Sequence, residues 1–180
     1  MNIVSTPIEG LVVFEPKVFL DDRGYFFESW NENFLKQYGL ELQFVQDNQS
    51  SSKKNVLRGL HFQNPPHEQG KLVRVVKGKV LDVVVDIRKD SVTYGRSFSI
   101  ELSEYNKIVF WIPPGFAHGF LSLEDDTIFC YKCTGEYNKK SEGNLLWNDP
   151  NLDIDWGIDN PIISEKDLQG INFTDFISQF

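Results

Sequence analysis

Alternating apolar and polar residues dominate the middle of the chain and predict a series of short β-strands. Residues 71–76 and 80–87 flank a turn that contains Gly78, which predicts two successive strands. In the second strand, Asp82 and Asp86 alternate with apolar residues, a pattern typical of a strand with one buried face. Further strands are predicted at 97–102, 107–112, 117–123 and 127–133. This density of short strands indicates an all-β barrel or sandwich.

Helical patterns are sparse and short. Asn31 is placed to cap a helix through Phe34, Leu35 and Tyr38, which Gly39 would end in the left-handed conformation. A second helix is predicted after Ser164, because Ser164 and Asp167 have the spacing of a capping box. The remaining C-terminal residues are rich in Asn, Asp and Pro, which favours surface loops.

Length and composition narrow the function classes. The 180 residues, 41% of them hydrophobic, predict a single domain spanning 1–180 with one sizeable core. The formal net charge of −8 argues against nucleic-acid binding, which needs clustered Lys and Arg. No apolar run approaches the length of a membrane span, and no secretory leader is evident at the N-terminus. We therefore expect no membrane partner and a cytoplasmic location.

The only two cysteines, Cys130 and Cys133, match the spacing of a redox pair or of half a zinc site. Both lie in the predicted strand 127–133, where residues three apart point to opposite faces. No second cysteine pair completes a set of four ligands. Two reduced, structural thiols are therefore expected.

Two of the three histidines lie in sequence contexts that resemble the motifs of the cupin barrel. His61 precedes a Pro-Pro turn, and His118 follows the turn Pro113-Pro114-Gly115. An imidazole can act as a base near neutral pH, although a hydrogen-bonded structural histidine would give the same pattern. A cupin metal site would have His-x-His where this chain has His61-Phe62-Gln63, and Lys71 adds a positive charge nearby. We therefore expect no metal.

Two further residues have both a structural and a chemical interpretation. Tyr131 shares a strand face with Thr127, Phe129 and Cys133, a mixture that suits a barrel interior. A buried tyrosine is usually a core residue with one hydrogen bond. Asp167 is explained equally well as the acidic member of the Ser164 capping box. Their chemistry becomes specific only when these residues are taken together with the histidines.

Eight ordered blocks resemble the dTDP-4-dehydrorhamnose 3,5-epimerase family over nearly the whole chain. These blocks are DDRGYFFESW (21–30), FVQDNQS (44–50), VLRGLHFQ (56–63), QGKLVRVVKGKVLDVVVDIR (69–88), PPGFAHGF (113–120), YKCTGEY (131–137), EGNLLWNDP (142–150) and SEKD (164–167). The resemblance implies a cupin-like jelly-roll β-barrel, usually a homodimer, that needs no metal or nucleotide cofactor. It implies inversion of C3 and C5 of dTDP-4-keto-6-deoxy-D-glucose, a step of dTDP-L-rhamnose biosynthesis.

The resemblance also implies roles for individual residues. His61 would remove the proton, Asp167 would orient His61, and Tyr131 would return a proton from the opposite face of the sugar. Lys71, helped by His118, would stabilise the charge on the C4 oxygen. The implied nucleotide-binding residues are Arg23, Glu28, Gln46, Asn48, Arg58, Tyr137, Glu142 and Lys166.

Without the family, some of these residues have simpler explanations. Arg23 fits a turn in Asp22-Arg23-Gly24, and Glu28 and Glu142 fit solvated or paired carboxylates. The reaction also has alternatives: inversion at C3 only or at C5 only, or a keto sugar carried by another nucleotide. Two other classes stay open, namely a metal-dependent cupin enzyme and a non-catalytic sugar-binding module.

Overall fold

A computed structural model describes residues 2–37 and 39–180 of the chain. Short strands make up most of its regular structure. In chain order they are β1 (Asn2–Val4), β2 (Val12–Glu15), β3 (Phe19–Asp21), β4 (Gly24–Phe26), β5 (Gln46–Ser52), β6 (Leu57–Gln63), β7 (Lys71–Lys77), β8 (Lys79–Asp86), β9 (Ser97–Ser103), β10 (Val109–Ile112), β11 (Phe116–Ser122), β12 (Thr127–Cys133) and β13 (Glu142–Asn144).

Two antiparallel sheets form the body of the molecule. One has the order β1-β2-β10-β7-β12-β5 and the other the order β13-β6-β11-β8-β9, while β3 and β4 form a separate hairpin. Apolar residues from both sheets pack together between them, including Val73, Phe110 and Phe129 from the first and Val84 and Phe116 from the second. The predicted all-β, cupin-like jelly roll is confirmed.

The turn at Gly78 connects the two sheets, because β7 belongs to the six-stranded sheet and β8 to the five-stranded one. Gly78 has a φ of 77°. A Cβ atom there would lie 2.5 Å from Oγ1 of Thr127, so the close approach of β12 also requires glycine. Both predicted strands are confirmed, and the turn between them carries the chain from one sheet to the other.

Strand β8 is buried on both faces, so the prediction of one buried face is wrong. Asp82 and Asp86 are both 0% exposed. Val84 packs between the sheets, whereas Val83 on the other face packs in a second cluster with Trp147 and other apolar residues of the C-terminal part. The C-terminal segment covers the outer face, which strand periodicity alone does not reveal.

Both predicted helices form. The first, α1 (Glu32–Gln37), is followed by Gly39 with a φ of 75°, while Tyr38 lies outside the described residues. The second, α2 (Glu165–Leu168), begins as expected, with Ser164 Oγ accepting a hydrogen bond from the Asp167 N–H at 3.1 Å. A 3-10 turn spans Phe173–Asp175. In the described part of the chain, neither helix has the length and apolar character needed to cross a bilayer.

Candidate active site

The candidate site lies inside the barrel, between the two sheets. Two cavities of about 590 and 320 Å³ adjoin there. Both are lined by Asn48, His61, Lys71 and Tyr131. Three of these residues, His61, Lys71 and Tyr131, are ones for which the family resemblance implies catalytic roles, and the fold brings them to one place.

A histidine–aspartate pair occupies the wall formed by the five-stranded sheet. His61 lies on β6, and its Nε2 is 2.7 Å from Oδ1 of Asp167 on α2. The Gly59 N–H also donates to Asp167 Oδ2, at 3.3 Å. Burial by itself would raise the pKa of Asp167, but the hydrogen bonds from His61 and Gly59 lower it below its usual value. An ionised Asp167 accepts a hydrogen bond from Nε2–H and leaves the lone pair of His61 on Nδ1.

Tyr131 lies on the opposite wall, in strand β12 of the six-stranded sheet. It is half-buried and pairs in register with Asn48 of β5. Burial raises the pKa of Tyr131, and the neighbouring Cys133 thiol adds to the shift, while Arg58 opposes it. The phenol therefore keeps its proton near neutral pH and is able to donate it.

Lys71 lies beside the same cavity on β7, where its register partner is Cys133 of β12. Burial lowers the pKa of Lys71, while Cys133, Asp82 and Glu142 act in the opposite direction. A lysine so enclosed provides a donor whose position is set by its surroundings. Such a group suits an oxygen on which negative charge develops.

A second histidine–aspartate pair lies next to the first. His118 of β11 is the register partner of His61, and its Nε2 is 3.0 and 2.9 Å from the two carboxylate oxygens of Asp82. Burial raises the pKa of Asp82, against the effect of His118 and Lys71. Burial also lowers the pKa of His118. This pair belongs to the five-stranded sheet, and His118 lines the larger cavity together with Lys71 of the other sheet.

Polar residues expected to hold the nucleotide cluster around the smaller cavity. The Tyr137 N–H donates to Gln46 Oε1 at 3.0 Å, and Gln46 Nε2 donates to Asn48 Oδ1 at 3.0 Å. The Tyr137 hydroxyl donates to Glu142 Oε2 at 3.1 Å, and Lys166 Nζ donates to the other oxygen of Glu142. These five residues therefore meet in one hydrogen-bonded network, and their role in nucleotide binding stays a prediction.

Arg58 lies at the mouth of the larger cavity. Its Nε donates to Ser52 Oγ at 3.1 Å and its Nη2 donates to the main-chain oxygen of Ser51 at 3.2 Å, while the residue as a whole stays exposed. An exposed guanidinium at a cavity mouth suits a diphosphate, whose oxygens match its donor geometry.

Arg23 and Glu28 lie apart from this cluster within a single chain. Arg23 lies at the tip of the β3–β4 hairpin, where its side chain is 90% exposed and pairs with Asp21. Glu28 is exposed and accepts a hydrogen bond from Asn31 Nδ2 at 3.0 Å. Neither residue lines either of the two cavities. Their role in nucleotide binding stays a prediction, because within one chain these two residues do not reach the cavities.

Two site residues escaped sequence reasoning. Asp82 was assigned only to the pattern of a half-buried strand, yet it holds His118. The sequence did contain one signal for Asp82: it is a carboxylate on the same strand face as the apolar residues Val80 and Val84, where a buried charge needs a partner. Ser50 lines the larger cavity, but a serine among the three consecutive serines 50–52 carries no distinguishing signal.

The two cysteines lie as the strand pattern predicted, with Cys133 buried inside the barrel and Cys130 on the outer side. No group of three or more His, Cys, Asp or Glu residues within 2–37 and 39–180 is arranged to hold a metal ion. The expected absence of a metal stays a prediction.

Comparisons with known proteins agree with this geometry. The profile of the dTDP-4-dehydrorhamnose 3,5-epimerase family matches residues 5–175. The chain is 50% identical over 176 residues to the dTDP-4-dehydrorhamnose 3,5-epimerase of Shigella flexneri, covering 97% of each chain. Its structure is similar to that of a dTDP-6-deoxy-D-glucose-3,5-epimerase from Legionella pneumophila in complex with dTDP-4-keto-L-rhamnose, with a TM-score of 0.93, 44% identity and coverage of 98% and 94%.

The chain is also similar, at lower identity, to an enzyme whose name describes epimerisation at one position only. A 3′-monoepimerase from Streptomyces bikiniensis, in complex with dTDP-quinovose, is 32% identical, with a TM-score of 0.89 and coverage of 94% of this chain and 86% of that one. The family match and the identity over nearly the full length lead to one conclusion. The chain belongs to the dTDP-4-dehydrorhamnose 3,5-epimerase family.

Proposed function

We propose that the chain inverts C3 and C5 of dTDP-4-keto-6-deoxy-D-glucose and so produces dTDP-4-keto-L-rhamnose for dTDP-L-rhamnose biosynthesis. One observation carries this proposal: His61 in one sheet, hydrogen-bonded to Asp167, and Tyr131 in the other sheet line one cavity, which Lys71 also lines. Inversion needs a base and an acid on opposite sides of the sugar ring. The two walls supply these groups.

The reaction would begin when His61 Nδ1 removes the proton from the carbon next to the C4 ketone. Such a proton is weakly acidic because its loss leaves an enolate with negative charge on the ketone oxygen. Lys71 would stabilise that oxygen, and His118, held by Asp82, would assist it. A preorganised donor of this kind contributes about 10²- to 10³-fold in rate.

The second half of each inversion would be reprotonation by Tyr131. The phenol is protonated because its pKa is raised, and it belongs to the sheet opposite His61. A proton delivered from that side gives the inverted centre. General acid and base groups in position each contribute about 10²- to 10⁴-fold. This chemistry uses no redox step, and the positive charge of Lys71 disfavours a cation in the cavity.

The nucleotide would occupy the smaller cavity and the mouth of the larger one. Tyr137 is exposed and offers a ring on which the thymine base can stack. Gln46, Glu142 and Lys166 supply the hydrogen-bonding groups around it. Arg58 would bind the diphosphate.

We further propose that the chain acts as a homodimer in the cytoplasm. The β3–β4 hairpin exposes Phe19, Leu20 and Phe26, which are 52%, 81% and 66% exposed. Apolar side chains so exposed favour a protein partner. If the hairpin packed on a second copy, Arg23 and Glu28 would lie near the nucleotide site of that copy. Each site would then contain the two residues that a single chain does not bring to it.

The experiment is a reaction of the purified protein with dTDP-4-keto-6-deoxy-D-glucose in D₂O. We expect solvent deuterium at both C3 and C5 and inversion at both carbons. A chelator should leave the rate unchanged. Absence of exchange at either carbon would refute the proposed activity, and loss of activity with the chelator would favour a metal-dependent enzyme.

Inversion at C3 alone is the second candidate. The similarity to the 3′-monoepimerase of Streptomyces bikiniensis favours it over other outcomes. The same experiment separates the two, because a 3-only enzyme would place deuterium at C3 and leave C5 unlabelled.

A further inference from the structure

Gln63 is a buried glutamine of strand β6 whose side-chain amide is fully used by the protein. It is 6% exposed and lies two residues after His61 on the same strand. Its Nε2 donates to the main-chain oxygens of His67 at 2.6 Å and Glu136 at 3.2 Å, and its Oε1 accepts from the Asn138 N–H at 2.7 Å. A flipped amide would turn its own oxygen toward two carbonyl oxygens, so only this orientation satisfies all three partners.

Two of these three partners are the immediate neighbours of Tyr137 in the chain. They belong to residues 134–141, which connect β12 to β13 without helix or strand structure. Gln63 therefore holds the main chain on both sides of Tyr137. The Tyr137 N–H adds a further attachment, because it donates to Gln46 Oε1 at 3.0 Å. Side chains of β6 and β5 thus fix the centre of this irregular segment.

The ring of Tyr137 is the exposed end of this arrangement. Tyr137 is 54% exposed and lines the smaller cavity, and its hydroxyl donates to Glu142 Oε2 at 3.1 Å. Glu142 in turn is the register partner of Gln63 on β13. An aromatic ring on a freely moving loop loses conformational freedom when it stacks on a ligand, whereas a loop that is already fixed loses little. A residue that fixes the loop beforehand therefore strengthens binding through the ring rather than through a bond of its own.

We propose that Gln63 is a positioning residue for nucleotide recognition, which holds the segment around Tyr137 so that its ring is ready to stack on the base. This inference rests on the proposed function and assigns an indirect role to a residue outside the set that contacts substrate. Both N–H groups of the Gln63 amide are taken by main-chain oxygens, so no donor is left for the nucleotide. The contribution of Gln63 lies in affinity for the nucleotide, while the chemical step at His61 does not depend on it.

The test is the variant Gln63→Met, with Gln179→Met as its matched control. Methionine is similar in length but cannot form the three hydrogen bonds. Gln179 is exposed and lines neither cavity. We expect Gln63→Met to weaken dTDP binding and raise KM by about 10-fold, while kcat stays within about twofold of the wild type. Gln179→Met should match the wild type in all three measurements.

A double-mutant cycle shows whether Gln63 acts through the ring. Tyr137→Ala removes the ring, so the addition of Gln63→Met should weaken dTDP binding no further. A residue that only supports the fold would weaken binding by the same factor in both backgrounds. If Gln63→Met does not fold, Gln63→Glu takes its place with the same expectation, because a carboxylate keeps the acceptor for the Asn138 N–H and loses the donors.

Three results would overturn the inference. They are dTDP binding and KM in Gln63→Met equal to those of an active wild type, a fall in kcat that matches the loss of affinity, and additive effects of the two substitutions on dTDP binding. A wild type that neither binds dTDP nor exchanges deuterium would instead overturn the proposed function, and this inference with it.

Discussion

The two histidine–aspartate pairs of the site differ in exposure although their histidines lie on neighbouring strands. In the outer pair, the side chains of His61 and Asp167 are 31% and 5% exposed. In the inner pair, those of His118 and Asp82 are 8% and 0% exposed. The pKa of Asp167 is lowered, whereas burial raises that of Asp82. The more exposed outer pair is thus suited to proton transfer with a substrate. The fully buried inner pair is suited to a structural role beside it.

The largest effect is expected from removal of the outer imidazole. His61→Ala should lower the rate of deuterium exchange by about 10³-fold or more, because no base remains near the substrate carbon. Binding of dTDP should change little. The measurement is NMR detection of exchange in D₂O together with dTDP titration. Exchange within 10-fold of the wild type would assign the base to another residue.

Removal of the inner carboxylate should act mainly on folding. Asp82→Ala leaves His118 buried without its partner, which should lower the free energy of unfolding by about 3 kcal/mol. Urea unfolding measures this change. Asp159→Ala, at an exposed position with an ordinary backbone conformation, is the control and should stay close to the wild type. An unchanged unfolding free energy in Asp82→Ala would show that the inner pair does not support the fold.

Neutralising the outer carboxylate should reduce catalysis with little loss of stability. Asp167→Asn keeps the size of the side chain but removes the charge that orients His61, and we expect kcat to fall by about 10²-fold. Steady-state kinetics and thermal unfolding of the same preparation separate the two effects. A variant that unfolds readily but retains kcat would reverse the roles assigned to the two pairs.

Asp86 offers a smaller, pH-dependent comparison with Asp82 on the same strand. Burial would raise its pKa, but hydrogen bonds from Arg88, Ser91 and Thr93 lower the pKa of Asp86 to about 2. The folded pKa lies below the unfolded value of 3.8, so this stabilisation is present above pH 4 and is lost toward pH 2. It amounts to about 2 kcal/mol.

Unfolding measured between pH 5 and pH 2 tests this contribution. In Asp86→Asn, the pH dependence should be weaker than in the wild type by that amount. Equal slopes in the two proteins would show that Asp86 has an ordinary pKa in the folded state.

Much of the fold was predictable because strand periodicity and turn chemistry are local properties. The strands from β7 to β12 and the Ser164 cap follow directly from alternation and spacing. The assignment of β7 and β8 to different sheets was not predictable, because it depends on which strands each one pairs with: β10 and β12 for β7, and β9 and β11 for β8. The burial of both faces of β8 likewise depends on a distant C-terminal segment.

The site was predictable only in part, for the same reason. The family resemblance supplied His61, Lys71, Tyr131 and Asp167, and the structure brings them together. Asp82 matters because of what surrounds it, namely the buried imidazole of His118. Those surroundings come from strand register, which a single sequence does not specify.

Deuterium incorporation into the substrate by the variant Tyr131→Phe in D₂O tests most directly whether the base and the acid act from opposite walls of the cavity. The variant keeps His61 and Lys71 but has no phenol to return the proton. We predict that recovered substrate gains deuterium while inversion falls by at least 10²-fold. If inversion continues at the wild-type rate, or if deuterium enters no carbon at all, the assignment of the base to His61 in one sheet and of the acid to Tyr131 in the other is contradicted.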